Sequence, residues 1–419
     1  MNSGENSTVV VGGGVVGALC AWYLTESGHR VTVLDSGTFG NACSAGNCGY
    51  ICPSHVLPLA VPGAVSRSLR AMLSSDSPFY IKPRLSPELW SWLWRFARCC
   101  TTGKMMKTAM ACHALLQSSV DLYEKLIVEQ SLDCEWERRG LLFVFHAKHE
   151  FEEYAKIDAL LRERFGVAAN PHAGDEVSAL EPALKDGLGG GWHYTGDSHV
   201  RPDKLMLALR DRLLARGVDI QENCRVLGVG GGGMRAKQVE TSRGPIRGDR
   251  FVIATGALTP FLNEHLGCRI PIQPGKGYSI TMPRPRNCPR IPLILEEHRV
   301  AITPMQSGYR IGSTMEFSGY DTTLNQRRIG LLRRGAEVYL REPYVEPVQQ
   351  EWFGWRPMTW DSLPYVGVSP KWSNVWVAAG HNMLGLSMAP ATGRLVRELV
   401  DGIAPHIDPA PLRLQRSIA

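Results

Sequence analysis

The sequence predicts an α/β protein of two domains, one built on a parallel sheet and the other on a separate sheet. Three observations predict it. A β-branched run at residues 8–11 leads at once into Gly12, Gly13, Gly14 and Gly17, then into a helical segment and a second short apolar run. Strand-like runs of the same buried kind recur near the middle, at residues 250–255, and near the end, at residues 375–379. Residues 277–282 and 311–315 read as strands of a different sheet. A chain of 419 residues is long enough for two full cores.

Residues 8–11 read as a buried parallel strand. Gly12, Gly14 and Gly17 fit the spacing G-x-G-x-x-G, residues 18–25 read as a helix that Gly28 ends, and residues 30–34 form a second strand that stops at Asp35. Strand, glycines, helix, strand and acid together are the context that a dinucleotide fingerprint requires. Gly12 permits the tight turn, Gly14 lets the backbone approach a pyrophosphate, and Gly17 lets the helix pack close to the strand. The helix N-terminus, entered through Val15 and Val16, offers free N–H groups and a positive dipole end. Asp35 is placed to accept both ribose hydroxyls and argues against a 2′-phosphate. The motif does not choose between NAD and FAD.

Residues 41–53, rich in Ser, Asn, Gly and Cys, and the Pro-punctuated stretch up to Pro87 read as one long irregular loop. Long ordered loops are usually functional. Residues 87–100 read as a helix carrying Trp90, Trp92 and Trp94, and residues 111–129 as another. Core packing or an inter-domain seam is the first reading of the Trp cluster, and a membrane-docking face the alternative. A strand at 141–145, an amphipathic helix at 150–165, a glycine turn at 187–191 before a strand at 192–194, and a helix at 203–216 follow. Strands around Ile220 and at 225–229 come next, and residues 230–233 read as a surface turn. The strand at 250–255 ends in Thr255-Gly256, a second point of close backbone approach to a dinucleotide. After residues 375–379 the chain runs through Gly380-His381 into a helix from about 389 to 400. Nucleotide-binding features thus lie at the start, the middle and the end, so the chain must leave that domain and return. An NAD-dependent Rossmann enzyme would place its second nucleotide half directly after the first.

Composition excludes other classes. The formal charge is +6 with no Lys/Arg-rich block, which argues against nucleic acid. The 11 cysteines include no C-x-x-C pair, and no secretory signal is visible, so reduced thiols in a cytoplasmic protein are expected. No apolar run reaches the roughly 18 residues of a spanning helix, while peripheral contact at the inner face of a membrane is left open. The 12 histidines are scattered with no ligand spacing, so no metal is expected, and G-x-S-x-G is absent.

Four blocks in order carry a family resemblance: residues 9–35; Ser44-Ala45-Gly46-Asn47-Cys48-Gly49 with the Pro-rich run through Gly63; Pro274-Gly275-Lys276-Gly277-Tyr278-Ser279; and Gly354-Trp355-Arg356-Pro357-Met358-Thr359 with Asp361, Pro364 and Gly367, continuing from Gly380-His381 to Gly393. In these the chain resembles the D-amino-acid dehydrogenase branch of the glycine oxidase and D-amino-acid oxidase superfamily. Cys48 and Trp355 depart from the residues common there. The resemblance implies a glutathione-reductase-like FAD-binding domain from residues 1–52, 180–265 and 352–419. It implies a substrate domain, with a mixed and mostly antiparallel sheet, from residues 53–179 and 266–351.

The activity it implies is oxidation of a small D-amino acid or cyclic imino acid (D-alanine-like, D-proline or hydroxy-D-proline), part of amino-acid catabolism. A hydride would pass to flavin N5, with a quinone or carrier taking the electrons. An oxygen-using oxidase acting on glycine or sarcosine is the alternative. Non-covalent FAD would be held by the fingerprint residues with Asp35 and Ser36, by Ser44, Asn47 and Gly49, by Val226, Thr255 and Gly256, by Gly354, and by Gly380, His381, Gly385, Leu386 and Ser387. Arg356 would grip the substrate carboxylate through two parallel hydrogen bonds. Tyr278 would bond that carboxylate or shape the site, His55 is a weaker substrate candidate, and His381 stands near the flavin. Lys276 could equally be solvated. No dedicated base is assigned, because an amine that enters neutral needs none.

Overall fold

The computed structural model describes residues 6–72 and 77–416. Its six-stranded sheet is centred on Ser7–Val11, which pairs in parallel with Arg30–Leu34 on one side and Arg250–Ile253 on the other. Asp219–Gln221 and Val375–Ala379 extend the two sides in parallel, and Tyr365–Val368 closes one edge antiparallel. Strands far apart in sequence therefore lie side by side, and the chain leaves this sheet and comes back. The central strand is buried from Thr8 to Val11, as expected for a strand covered on both faces.

The helix Val15–Glu26 packs on this sheet and against the C-terminal helix Gly385–Asp401. The two helices meet closely because Gly393 lacks a side chain: a Cβ there would sit 2.6 Å from the Leu19 backbone. The long helix Thr102–Glu129 covers the C-terminal helix in turn. Leu19, Leu115, Leu116, Leu395 and Val396 share one core among the three.

The second large sheet has nine strands. Gln273–Met282 lies antiparallel between Gly308–Phe317 and Gln350–Met358. Val300–Met305, Leu293–Leu295, Leu141–Phe145, Gly190–Tyr194 and Asn170–Ala173 continue it, and Phe79–Ile81 pairs with Gly308–Phe317. Only the Leu293–Leu295 with Leu141–Phe145 and the Phe79–Ile81 pairings are parallel, so this sheet is mixed and mostly antiparallel, as expected. The helix Gln326–Tyr339 covers one face through Ile329, Leu332 and Ala336.

Gly190–Tyr194 and Gln350–Met358 hydrogen-bond into the nine-stranded sheet, inside the ranges 180–265 and 352–419 that the resemblance gives to the FAD-binding side. Pairing partners there are distant in sequence, and local pattern does not mark where a chain crosses between sheets. The long loop contains the helix Ala64–Met72 and the strand Phe79–Ile81, so it is not irregular throughout. Residues 230–232 belong to the strand Val226–Gly232, which pairs antiparallel with Arg235–Thr241. The C-terminal helix begins at Gly385, a turn before Ala389, with Pro390 inside it. Pro normally marks a helix start because it cannot donate to the carbonyl four residues back. Here that carbonyl, on Leu386, accepts instead from the buried Tyr123 hydroxyl at 2.8 Å.

Candidate active site

One cavity of about 2290 Å³ runs past the C-terminal ends of the parallel strands and under the nine-stranded sheet. It exceeds the roughly 300–1,000 Å³ of a typical small-ligand pocket and has room for a dinucleotide and a second molecule. Its position, outside the strand ends of an α/β sheet, is where such ligands bind.

The residues present fit FAD. Gly12 has φ +108°, and a Cβ there would lie 2.4 Å from the Ala254 carbonyl oxygen. A Cβ on Gly17 would lie 1.9 Å from the Gly12 carbonyl oxygen. Neither position admits a side chain, so helix, turn and strand close into a tight cradle. Gly14 at the N-cap has no side chain to bond the helix that starts at Val15, so beyond the Val15 amide its first-turn donors are left for an anion. The Ser44 hydroxyl accepts from the Val15 amide at 2.9 Å and so ties the second sequence block to that helix. The Asp35 carboxylate accepts from the amides of Gly13 (2.7 Å) and Gly37 (2.8 Å), which fixes it at the cavity wall. Burial raises its pKa, against the lowering by those amides. Asn47 accepts from the Gly49 amide at 2.7 Å and donates to the Ser44 carbonyl at 2.7 Å, shaping the loop. The N-terminus of Gly385–Asp401 also lacks a side-chain cap, and Gly385, Leu386 and Ser387 line the cavity.

Ser36, Val226, Thr255, Gly256, Gly354 and His381 line it as well, with Gly12, Gly14, Val15 and Val16. Gly17 and Gly380 do not. Gly17 acts through helix packing. Gly380, at φ +86°, backs the wall where a Cβ would meet Thr359 at 2.6 Å.

Arg356 reaches the cavity from the strand Gln350–Met358. Its guanidinium lies over Gly277 of the neighbouring strand, where a Cβ would be 2.1 Å from Nη1. The missing side chain at Gly277 makes that room. Nη1 donates to the Thr314 carbonyl at 2.6 Å and Nη2 to the Ser313 carbonyl at 3.5 Å. Among the described residues Arg356 has no carboxylate partner; the groups acting on its charge are the thiols of Cys43 and Cys48, and burial lowers its pKa. An arginine stays charged in such a place, so the wall holds an unneutralised cation. Ser313 (φ 126°) and Thr314 (φ 57°) adopt backbone that L-residues avoid, and the Thr314 hydroxyl is buried without a partner. Sequence reading missed this support, because nothing in the residue types of the strand Gly308–Phe317 marks the positive φ of Ser313 and Thr314. Trp352 was also missed. Its ring fills the slot left by Gly46 and Gly354, and it lines the cavity. Tyr320 and Phe353 each pack against Trp355, whose side chain alternates with that of Arg356 along the strand, and all three border the cavity.

Tyr278 lines the cavity but is buried, and its hydroxyl donates to Glu316 at 2.7 Å. It shapes the wall, and its hydroxyl is already taken. Lys276 is not solvated. It is buried, donates to the Thr323 carbonyl, and lies 3.7 Å from Asp321. His381 is buried with Nε2 2.9 Å from the Thr392 hydroxyl, and burial pushes its pKa down to about 3. His55 lines the cavity with Nδ1 unpartnered, and burial pushes it down to about 4. The fold brings Cys52, His55 and Asp197 together, with ligand atoms within 4.8 Å, a grouping that sequence spacing did not show. Both Asp197 oxygens are occupied: Ser54 donates to them through its amide (3.1 Å) and its hydroxyl (2.5 Å). The grouping is part of the wall's hydrogen bonding.

Comparison with known proteins places this site in context. A family model described as DAO, FAD dependent oxidoreductase, matches residues 7–399. The chain is 33% identical over 402 residues to a D-amino acid dehydrogenase of Paramagnetospirillum magneticum, covering 94% of each. It is 30% identical over 420 residues to one of Agrobacterium fabrum, covering 99% of this chain and 100% of the relative. Among solved structures, glycine oxidase from Bacillus cereus superposes with a TM-score of 0.78 at 20% identity, over 99% of both chains.

Proposed function

This chain belongs to the DAO family of FAD-dependent oxidoreductases, and from that premise we propose that it oxidises a small neutral D-amino acid or a cyclic imino acid such as D-proline or hydroxy-D-proline, with a quinone or carrier as electron acceptor. The family assignment makes it an oxidoreductase acting on amino-acid donors; the substrate and the acceptor are our reading. The observation that carries it is the unneutralised Arg356 guanidinium in a largely apolar cavity. A carboxylate supplies the missing negative charge, and two parallel hydrogen bonds fix its orientation. The Trp352 ring, on the same face of the strand with only Gly354 between, favours a small uncharged side chain or ring.

When bound, FAD supplies the two-electron acceptor for the carbon next to the amine nitrogen. The protein's part is placement and charge. Arg356 holds the carboxylate, and the Trp352 ring limits the side chain. The uncapped helix start at Gly385–Ser387 would offer its positive dipole end to negative charge that develops on the bound group on reduction. His381 stays neutral and serves as a hydrogen-bonding wall group.

Anaerobic mixing with a panel of D- and L-amino and imino acids tests the reading. Small neutral D-amino acids or cyclic imino acids should bleach the flavin colour, and a protein that no amine bleaches would refute it. Turnover with a quinone analogue and little peroxide supports the dehydrogenase reading. Stoichiometric peroxide would move the protein to the oxidase alternative.

A further inference from the structure

We infer that Arg310, with Ser279 and Thr303, is a positioning residue for the flavin: from the nine-stranded sheet it holds the carbonyls of residues 45–48 away from the cavity, so that this loop turns its amides toward the bound cofactor. The three side chains stand together because their strands pair in register. Arg310 of Gly308–Phe317 lies opposite Thr281 of Gln273–Met282 and Thr303 of Val300–Met305, and Gly312, on the same face as Arg310, lies opposite Ser279. One face of three strands thus carries a patch of donors, and Arg310, Ser279 and Thr303 are all buried. Gly312 leaves room for the loop to settle on that patch, since a Cβ there would lie 2.6 Å from Cys48 Sγ.

The donors meet the loop one carbonyl after another. Arg310 Nη1 donates to the Ala45 carbonyl at 2.9 Å and to the Asn47 carbonyl at 2.7 Å. The Ser279 hydroxyl donates to the Gly46 carbonyl at 2.8 Å and the Thr303 hydroxyl to the Cys48 carbonyl at 2.5 Å. On either side, the Ser44 carbonyl accepts from the Asn47 side chain at 2.7 Å and the Gly49 carbonyl from the Val200 amide at 2.9 Å. Every carbonyl from Ser44 to Gly49 is therefore held by a protein donor. A trans peptide group is planar, so a carbonyl held on one side turns the next residue's N–H to the other. Asn47 and Cys48 line the cavity, and among the described residues no protein acceptor meets their amides. Backbone donors in such a wall call for a partner, and a bound flavin supplies acceptors. A guanidinium suits the central place: the Thr281 hydroxyl holds its Nε at 2.9 Å, and the rigid fork then sets Nη1 between two carbonyls. Farther along the same strand, the Ser313 and Thr314 carbonyls hold Arg356. One strand thus fixes the cofactor loop and the arginine of the substrate site relative to each other. The loop's meeting with the flavin rests on the FAD fit above; only the tie to the substrate rests on the Arg356 reading.

The test needs no amine. FAD affinity is read by titrating the apoprotein and following flavin fluorescence, and the midpoint potential by reduction with xanthine and xanthine oxidase beside a reference dye. Arg310→Lys keeps the charge and loses the fork. We expect FAD to bind about tenfold more weakly and the midpoint potential to fall by about 30 mV, a tenfold shift of a two-electron equilibrium. The potential falls because amides no longer held toward the flavin stabilise its reduced, anionic form less. Thr303→Val and Ser279→Ala each remove one neutral donor, and each should weaken FAD about threefold and lower the potential in the same direction. These two carry the test if Arg310→Lys does not fold. Variants with a lower thermal midpoint but with FAD affinity and potential unchanged would overturn the inference, leaving Arg310 a purely structural residue. So would a shift in Arg310→Met that is absent from Arg310→Lys and Thr303→Val, which would assign the effect to charge alone. A flavin that no amine reduces, with the variants still shifted, would refute the proposed substrate and support the role of Arg310.

Discussion

At the scale of single residues, Arg356 carries the substrate reading, and its geometry sets the expected kinetics. Lysine keeps the charge but loses the planar fork. Losing one charge-assisted hydrogen bond costs about 1.5–3 kcal/mol, or about 10–100-fold. Arg356→Lys should therefore raise KM by about that factor and change kcat less; near-normal KM in steady-state kinetics would remove Arg356 from the carboxylate role. His381 makes a separate prediction. Its pKa is about 3 when folded and 6.5 in the open chain, so between those values only the unfolded chain binds the proton. Stability is then fully present above about pH 6.5 and falls as the pH drops toward 3. From about pH 7 to about pH 5 this one group costs about 2 kcal/mol. His381→Gln should flatten the fall of the urea midpoint across that range. It should leave the acid limb of the pH–rate profile in place, because a histidine that stays neutral cannot set it.

At the scale of elements, the fingerprint was legible because the strand–turn–helix spacing of its glycines is local, although Gly12 also meets Ala254 across the sheet. The clash of a Gly17 Cβ with the Gly12 carbonyl arises within a single turn. Gly17→Ala should yield protein with little bound flavin, since overpacking there costs about 1–3 kcal/mol and displaces the cradle; normal flavin absorbance after purification would contradict this. The start of the C-terminal helix was not legible, for the opposite reason. Pro390 is tolerated inside the helix because the Tyr123 hydroxyl satisfies the carbonyl it leaves free, and Ser119 accepts from the Ala391 amide at 3.1 Å. Both partners lie on the helix Thr102–Glu129, more than 250 residues away. Tyr123→Phe leaves a buried carbonyl unsatisfied, at a cost of about 1–3 kcal/mol. A lower thermal midpoint and weaker flavin retention are expected, because Leu386 lines the cavity. The Ser313–Thr314 support of Arg356 was hidden in the same way: a strained backbone pair has no signature in the residue types of its strand, whereas the Gly-Trp-Arg-Pro block could be read directly.

At the scale of the whole molecule, the cavity takes its walls from the parallel sheet, the nine-stranded sheet and the two helix starts at Val15 and Gly385. A ligand filling it bridges parts of the chain as distant as Gly12 and Ser387, so the cofactor is a structural joint as well as a reagent. How it is retained can be argued from the cysteines. Cys43, Cys48, Cys52, Cys112 and Cys224 all line the cavity, and all are free. A thioether to the isoalloxazine would need a thiolate, since the thiolate is the nucleophile. Burial raises the pKa of Cys43, Cys48, Cys52 and Cys112, the last to about 12, so these sulfurs stay protonated in the range where the protein works. Of the cavity histidines, His381 is buried with Nε2 engaged by the Thr392 hydroxyl, whereas the half-buried His55 keeps Nδ1 without a partner. Attachment through these four thiols is therefore disfavoured, and retention would rest on the glycine cradle, Asp35 and the two helix starts. Precipitation with acid should release all the yellow colour and leave a white pellet. A pellet that stays yellow after washing in denaturant would mean a covalent bond, and peptide mapping would then look first at His55 and Cys224, which both line the cavity.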